Sequence, residues 1–182
     1  MPRRLPSIAI AALLLGAPLV PARAAEPVKI AFVDTGNTGR SVTAEALAGA
    51  EIDRDHLFIA VISRALDQDP YAVTPEANAR TLLAERGIDV SAHRSAQLTE
   101  NDVRHSDLIL TMTAAHKQKL IAQFPDAKDK TFTLAEYATG QAKDVEDAFG
   151  KDMAFYRAMF AQVDSYIGPA LAKAATLAKR DQ

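Results

Sequence analysis

The chain contains no cysteine among its 182 residues, and that absence closes several routes at once. No disulfide can staple the fold, no N-terminal cysteine can carry a lipid, and no thiolate is available as nucleophile or redox centre. Stability must come from packing, which a chain of this length allows within one hydrophobic core. An excess of basic charge is also missing: 21 Lys and Arg stand against 23 Asp and Glu. No basic cluster is interleaved with aromatic residues, so nucleic acid is not an expected partner. There are no internal repeats, no low-complexity tract and no interior linker. One domain is therefore expected.

A long apolar run is missing too. The apolar stretch from Ile8 to Leu15 is followed by Pro18 and Pro21, which leaves it too short to span a bilayer. With Arg3 and Arg4 before it and Ala22-Arg23-Ala24 after it, the segment reads as a signal peptide over residues 1–24, followed by a domain over residues 25–182. Cleavage would leave 18 basic residues against 23 acidic ones, a net charge of −5, which disfavours anionic membranes. The expectation is a periplasmic or secreted protein with no stable membrane anchor.

What is present is a clear alternation of strand and helix signals. Val28 to Val33 is a short apolar, β-branched run, followed by a turn with two glycines and then by the Ala- and Leu-rich segment Ser41 to Ala50. Leu57 to Ile62 reads as a second buried strand. Pro75 to Arg86 reads as a helix, with Thr74 as N-cap, Pro75 in the first turn and Gly87 as its stop. Thr99, three residues before Asp102, forms an acidic variant of the capping box ahead of the apolar run Leu108 to Met112, a third strand. Ala114 to Gln123 is helical and Thr131 to Leu134 is a weak fourth strand. Met153 to Leu177 is the longest helical pattern, with Phe155, Met159, Val163 and Ile167 spaced by four as its core stripe. Such alternation predicts an α/β fold with a parallel sheet covered on both faces and ligands at the carboxyl ends of the strands.

The loop Asp34-Thr35-Gly36-Asn37-Thr38-Gly39-Arg40-Ser41 lies at one such end. Backbone N–H groups can converge there, and the following helix directs its positive end toward the mouth. Arg40 can offer a planar fork of donors to a tetrahedral oxyanion. The same spacing also fits an ordinary strand-to-helix turn with two glycines. The Gly-Lys-Ser/Thr ending of a nucleotide P-loop is lacking.

The segment VKIAFVDTGNTGRSVTAEALA resembles the start of the low-molecular-weight protein tyrosine phosphatases, whose loop reads Cys, five residues, Arg, Ser. The likeness continues through LLAERGIDVSAHRSAQLTENDVRHSDLILTM, TLAEYA and DVEDAFGKDMAFY. The last two segments look closest to the bacterial branch that includes protein-arginine phosphatases. The resemblance implies a three-layer α/β/α fold with a four-stranded parallel sheet in the order 2-1-3-4. It places Asp34 where the nucleophilic cysteine stands, and it implies that Arg40 and the amides of Thr35 to Ser41 hold the phosphoryl oxygens. It further implies that Ser41 hydrogen-bonds the nucleophile, that Asn37 and His93 brace the loop, and that Asp147 is the general acid. The usual Pro after that acid is Ala148 here. Gly39 falls where many members carry a second cysteine, and arsenate reduction, which needs cysteines, is excluded. Residues Ser63 to Pro70 depart from the family pattern, so no substrate rim is assigned.

An aspartate changes the chemistry of such a loop. Two unit charges at about 4 Å repel by roughly 4 kcal/mol at an effective dielectric near 20, which opposes a phosphate beside Asp34. Protonation of Asp34, a bridging cation such as Mg²⁺, or a carboxylate folded onto the loop amides would each relieve that repulsion. Asp34 and Asp147 alone make a poor metal site, so neither metal nor cofactor is expected. The first expectation is an exported, non-catalytic or impaired pseudophosphatase that binds a phosphate-like anion or a phosphorylated protein side chain. One alternative is an active phosphatase with Asp34 as nucleophile and Asp147 as acid. Another is an interaction protein with a vestigial loop.

Overall fold

The computed structural model describes residues 26–177; the segment expected as a signal peptide, residues 1–24, lies outside them. Four strands form one parallel sheet: β1 (Val28–Asp34), β2 (Ile59–Ala65), β3 (Leu108–Thr111) and β4 (Thr131–Thr133). Their order is β2-β1-β3-β4, as expected. β1 is central, pairing Val28 with Ile59 through Asp34 with Ala65 on one side and Ile30 with Leu108 through Val33 with Thr111 on the other. Burial on both faces explains its nearly continuous apolar sequence.

Among the described residues six α-helices flank the sheet: α1 (Arg40–Asp55), α2 (Ala77–Glu85), α3 (Glu100–His105), α4 (Ala114–Gln123), α5 (Leu134–Thr139) and α6 (Met153–Ala174). The larger core joins β1 and β3 to α1, α2, α5 and α6 through residues such as Phe32, Leu47, Leu83, Met159 and Ile167. A smaller core on the opposite face gathers Ala31, Val33, Ile109 and Leu120. The capping box of Thr99 and Asp102 is present at α3.

Three local expectations need correction. α2 begins at Ala77 with no side-chain cap, so Thr74 does not cap it and Pro75 lies outside it. The cause is tertiary: the Glu76 amide donates to Thr38 O at 2.9 Å, tying the chain to the loop before the helix can start. α5 is a further short helix, closed by its own capping box of Thr133 and Glu136. In α6 Phe155 is 39% exposed, whereas Tyr156 is buried.

Candidate active site

β1 delivers Asp34 to the carboxyl edge of the sheet and α1 starts six residues later, so the loop between them is closed by secondary structure at both ends. Asp34 is 2% exposed. Its Oδ1 accepts from the Asn37 amide at 2.6 Å and its Oδ2 from the Ser41 amide at 2.9 Å. The carboxylate therefore folds onto the loop, the one of the three relief routes that needs no ligand, and it lies at the positive end of α1. The Ser41 hydroxyl does not reach Asp34. It accepts instead from Asn37 Nδ2 at 3.0 Å.

Asn37 holds the loop in shape. Its φ of 57° lies in the left-handed region, which asparagine tolerates better than most residues. Its Nδ2 also donates to Ser63 Oγ at 2.7 Å, and its Oδ1 accepts from the Ala96 amide at 3.1 Å. His93 Nε2 lies 3.2 Å from Asn37 O, and Ser95 Oγ donates to Gly36 O at 2.7 Å. The segment 93–96 thus clamps the loop from outside, with His93 beside Asn37. Ser63 is fixed in turn by Glu45, whose carboxylate also stands 3.7 Å from His93 Nδ1.

Arg40 is buried, yet its guanidinium is engaged by the segment that follows α5. Nη2 lies 3.1 Å from Asp147 Oδ2 and Nη1 lies 3.4 Å from Val145 O. Asp147 also accepts from the Phe149 amide at 3.1 Å, which turns this segment over the mouth without the usual proline. Asp147, far from the loop in sequence, lines one pocket of about 260 Å³ together with Asp34, Arg40, Thr35, Gly36, Thr38 and Gly39. Asn37, Ser41 and His93 stand behind its wall.

Three residues at the site carried no sequence signal. Glu76 is half-buried, with Oε1 3.5 Å from Thr38 Oγ1, and a Cβ on Gly39 would lie 2.6 Å from that oxygen. Burial first, and then the negative charges of Asp147 and Asp34, raise the Glu76 pKa above its ordinary 4.5. Tyr156 is 1% exposed. Its hydroxyl lies against the Glu76 carboxylate, to which it can donate. Burial and that neighbouring charge push the phenol well above its usual range. His116, on α4, places Nε2 2.8 Å from Thr35 Oγ1. Burial, reinforced by the Arg40 charge, lowers its pKa below 6.5, so the imidazole is neutral at neutral pH. Among the described residues no group of three His, Cys, Asp or Glu stands close enough to hold a metal ion.

The sequence matches the family described as low molecular weight phosphotyrosine protein phosphatase over residues 29–182. It is 37% identical over 147 residues to a protein-arginine-phosphatase of Geobacillus stearothermophilus, covering 78% of this chain and 92% of that protein. It is 36% identical over 141 residues to the low molecular weight protein-tyrosine-phosphatase PtpB of Staphylococcus haemolyticus, covering 77% and 95%. A solved structure of the YwlE arginine phosphatase, a cysteine-to-serine mutant with a phosphorylated active-site serine, superposes with a TM-score of 0.75. That structure is 36% identical and covers 85% of this chain and 97% of its own. These relatives overturn the expectation of a periplasmic or secreted protein, because YwlE and PtpB are cytoplasmic phosphatases. Two arginines, a short apolar run and small residues satisfy the composition of an export signal without establishing that one is used.

Proposed function

The chain belongs to the low molecular weight phosphotyrosine protein phosphatase family, and from that premise we propose that it is a catalytically disarmed member whose phosphoryl-binding loop is filled by its own Asp34 carboxylate. The observation that carries this reading is the pair of bonds from the Asn37 and Ser41 amides to the two oxygens of Asp34. In the family scheme the residue at this position is a thiolate that attacks phosphorus, with Arg40 gripping the phosphoryl oxygens and Asp147 protonating the departing oxygen. Here the attacking position is held by a weak nucleophile already bound to two loop donors. A phosphate would also enter beside an anion, at a repulsive cost of roughly 4 kcal/mol, or about a thousandfold in affinity. A phosphorylated side chain remains the ligand class suited to Arg40 and the loop from Thr35 to Ser41, but it binds weakly beside the Asp34 carboxylate.

The test is phosphomonoester hydrolysis by the purified chain, with and without Mg²⁺, beside Asp34→Ala and Asp34→Cys. The expected result is background turnover for the wild type and for Asp34→Ala, with Asp34→Cys gaining about a hundredfold or more. Wild-type turnover that disappears in Asp34→Ala would sink the reading.

One finding favours a second reading. The phosphorylated serine in the YwlE mutant is an oxygen carrying a phosphoryl group in a loop of this kind. By analogy Asp34 would attack phosphorus to form an acyl phosphate while Asp147 gives its proton to the leaving oxygen, and water would then hydrolyse the acyl phosphate. Rapid quenching followed by mass spectrometry would reveal a phosphorylated Asp34.

A further inference from the structure

Thr35 stands apart from its neighbours in the loop. Asp34 and residues 37–41 are buried, whereas Thr35 is exposed and lines the pocket, so its side chain stands at the mouth and not on the floor. Its hydroxyl has one partner among the described residues, Nε2 of His116 at 2.8 Å. The other ring nitrogen of His116, Nδ1, is buried and has no hydrogen-bond partner among them. Neutral at neutral pH, the imidazole carries a single N–H. On Nδ1 that hydrogen would be a buried donor without an acceptor, which folded proteins tolerate less well than an orphan acceptor. On Nε2 it points at Thr35 Oγ1. His116 is therefore the donor and Thr35 the acceptor, and the hydroxyl keeps its own hydrogen for an acceptor in the pocket. The imidazole is also well held. It sits in the first turn of α4, where its amide donates to the Thr113 hydroxyl at 3.1 Å. Ion pairs of Lys117 with Glu136 and of Lys119 with Asp67 pin the same helix, and Leu120 anchors it in the smaller core.

Resting on the reading that Asp34 fills a loop still shaped for a phosphoryl group, we propose that the Thr35 hydroxyl is a specificity-determining donor for the outward oxygen of that group, and that His116 is the positioning residue that turns it there. A tetrahedral group seated on the loop amides and Arg40 faces the floor with three oxygens. Its fourth substituent points to the mouth, where Thr35 stands. An oxygen in that place, whether the fourth oxygen of free phosphate or the bridging oxygen of an ester, accepts the hydroxyl's hydrogen, and a carbon cannot. A ligand with a phosphorus–carbon bond therefore forgoes a contact that an oxygen-linked phosphoryl group keeps. Without His116 the Thr35 hydroxyl would be free to rotate, and its hydrogen would no longer be directed at the ligand.

The test has two arms. Nitrogen-15 NMR of the imidazole rings in the full wild-type chain at neutral pH should show His116 with its hydrogen on Nε2, and a hydrogen on Nδ1 would overturn the inference. The second arm is calorimetric titration with inorganic phosphate and with phenylphosphonate of the full chain carrying Asp34→Ala, which frees the loop amides. Adding Thr35→Val or His116→Leu should weaken phosphate about fivefold or more and phenylphosphonate less than about twofold, as expected for loss of one hydrogen bond that only phosphate makes. Thr35→Ser and His116→Gln, which keep the hydroxyl and the N–H donor, should hold phosphate nearly as well as their parent. Melting curves establish that the variants are folded. A folded Thr35→Val variant with unchanged phosphate affinity, an equal loss for both probes, or His116→Gln no better than His116→Leu would each overturn the inference. Asp34→Ala alone separates this outcome from the reading beneath it. Phosphate bound no tighter than by the wild type would sink that reading and the inference with it, whereas tighter phosphate that ignores Thr35→Val would remove the Thr35 role alone.

Discussion

Glu76 sits half-buried beside a loop that already carries one carboxylate, and its titration is therefore linked to folding. Burial, with Asp147 and Asp34 adding to it, raises its pKa above 4.5 in the folded chain. A raised folded value means that the native state holds the proton more tightly than the unfolded state does. The stabilising contribution is full below 4.5 and is lost as the pH rises through the folded value. Glutamine cannot ionise, so Glu76→Gln should melt at a higher temperature than the wild type near pH 7.5, with the gap closing below pH 4.5. Circular dichroism melts at the two pH values check this. An equal gap at both would mean that Glu76 is not held in the protonated-favouring environment the geometry gives it. Much of the loop was legible in the residues themselves, because Gly36, Gly39, Arg40 and the strand before them are contiguous. Glu76 and Tyr156 were not, since they arrive from 37 and 117 positions beyond Gly39 and only the folded chain brings them to it. The direction of the Asp34 side chain was legible only as one of three ways to relieve charge.

At the scale of elements, apolar runs located the four strands, because a parallel sheet buried on both faces leaves little choice of residue, whereas their order was implied only by the family resemblance. Helix ends were harder. The Thr74-Pro75 signature for α2 is a local one, and the bond from the Glu76 amide to Thr38 O prevails over it. The α6 stripe shows a different fault. A spacing of four advances about 40° beyond a full turn at each step, so a stripe that begins correctly drifts around the helix. Met159, Val163 and Ile167 are buried, but the first member, Phe155, has rotated outward and Tyr156 faces the core. Two substitutions measure the difference. Ile167→Ala should cost about 3 kcal/mol, within the range for emptying a packed aliphatic site, whereas Phe155→Ala should cost under about 1 kcal/mol. Urea denaturation of both variants is the check, and equal losses would restore the simple stripe.

At the scale of the whole molecule, α6 ties the helices to the larger core among the described residues. α6 packs against α1, α2 and α5 and supplies Tyr156, Met159, Val163, Ile167 and Leu171 to the larger core. With no disulfide to hold the remainder together, a chain ending before Met153 should show no cooperative thermal transition by circular dichroism and should bind a dye for exposed apolar surface. A sharp melt from that truncated chain would show that the sheet and the first five helices form an independent unit. The loop residues would all be present in it, but the Tyr156 wall of the pocket would be gone.

The packing of α6 on α1 also sets an order of events during synthesis. α1 leaves the ribosome some hundred residues before α6 and waits for it before the part of its surface that α6 packs on is covered. Throughout that interval the nascent chain carries an open flank that neighbours on a polysome or a holding chaperone can occupy first. Slowing translation after α1 would lengthen that exposure, whereas slowing it after α6 would not.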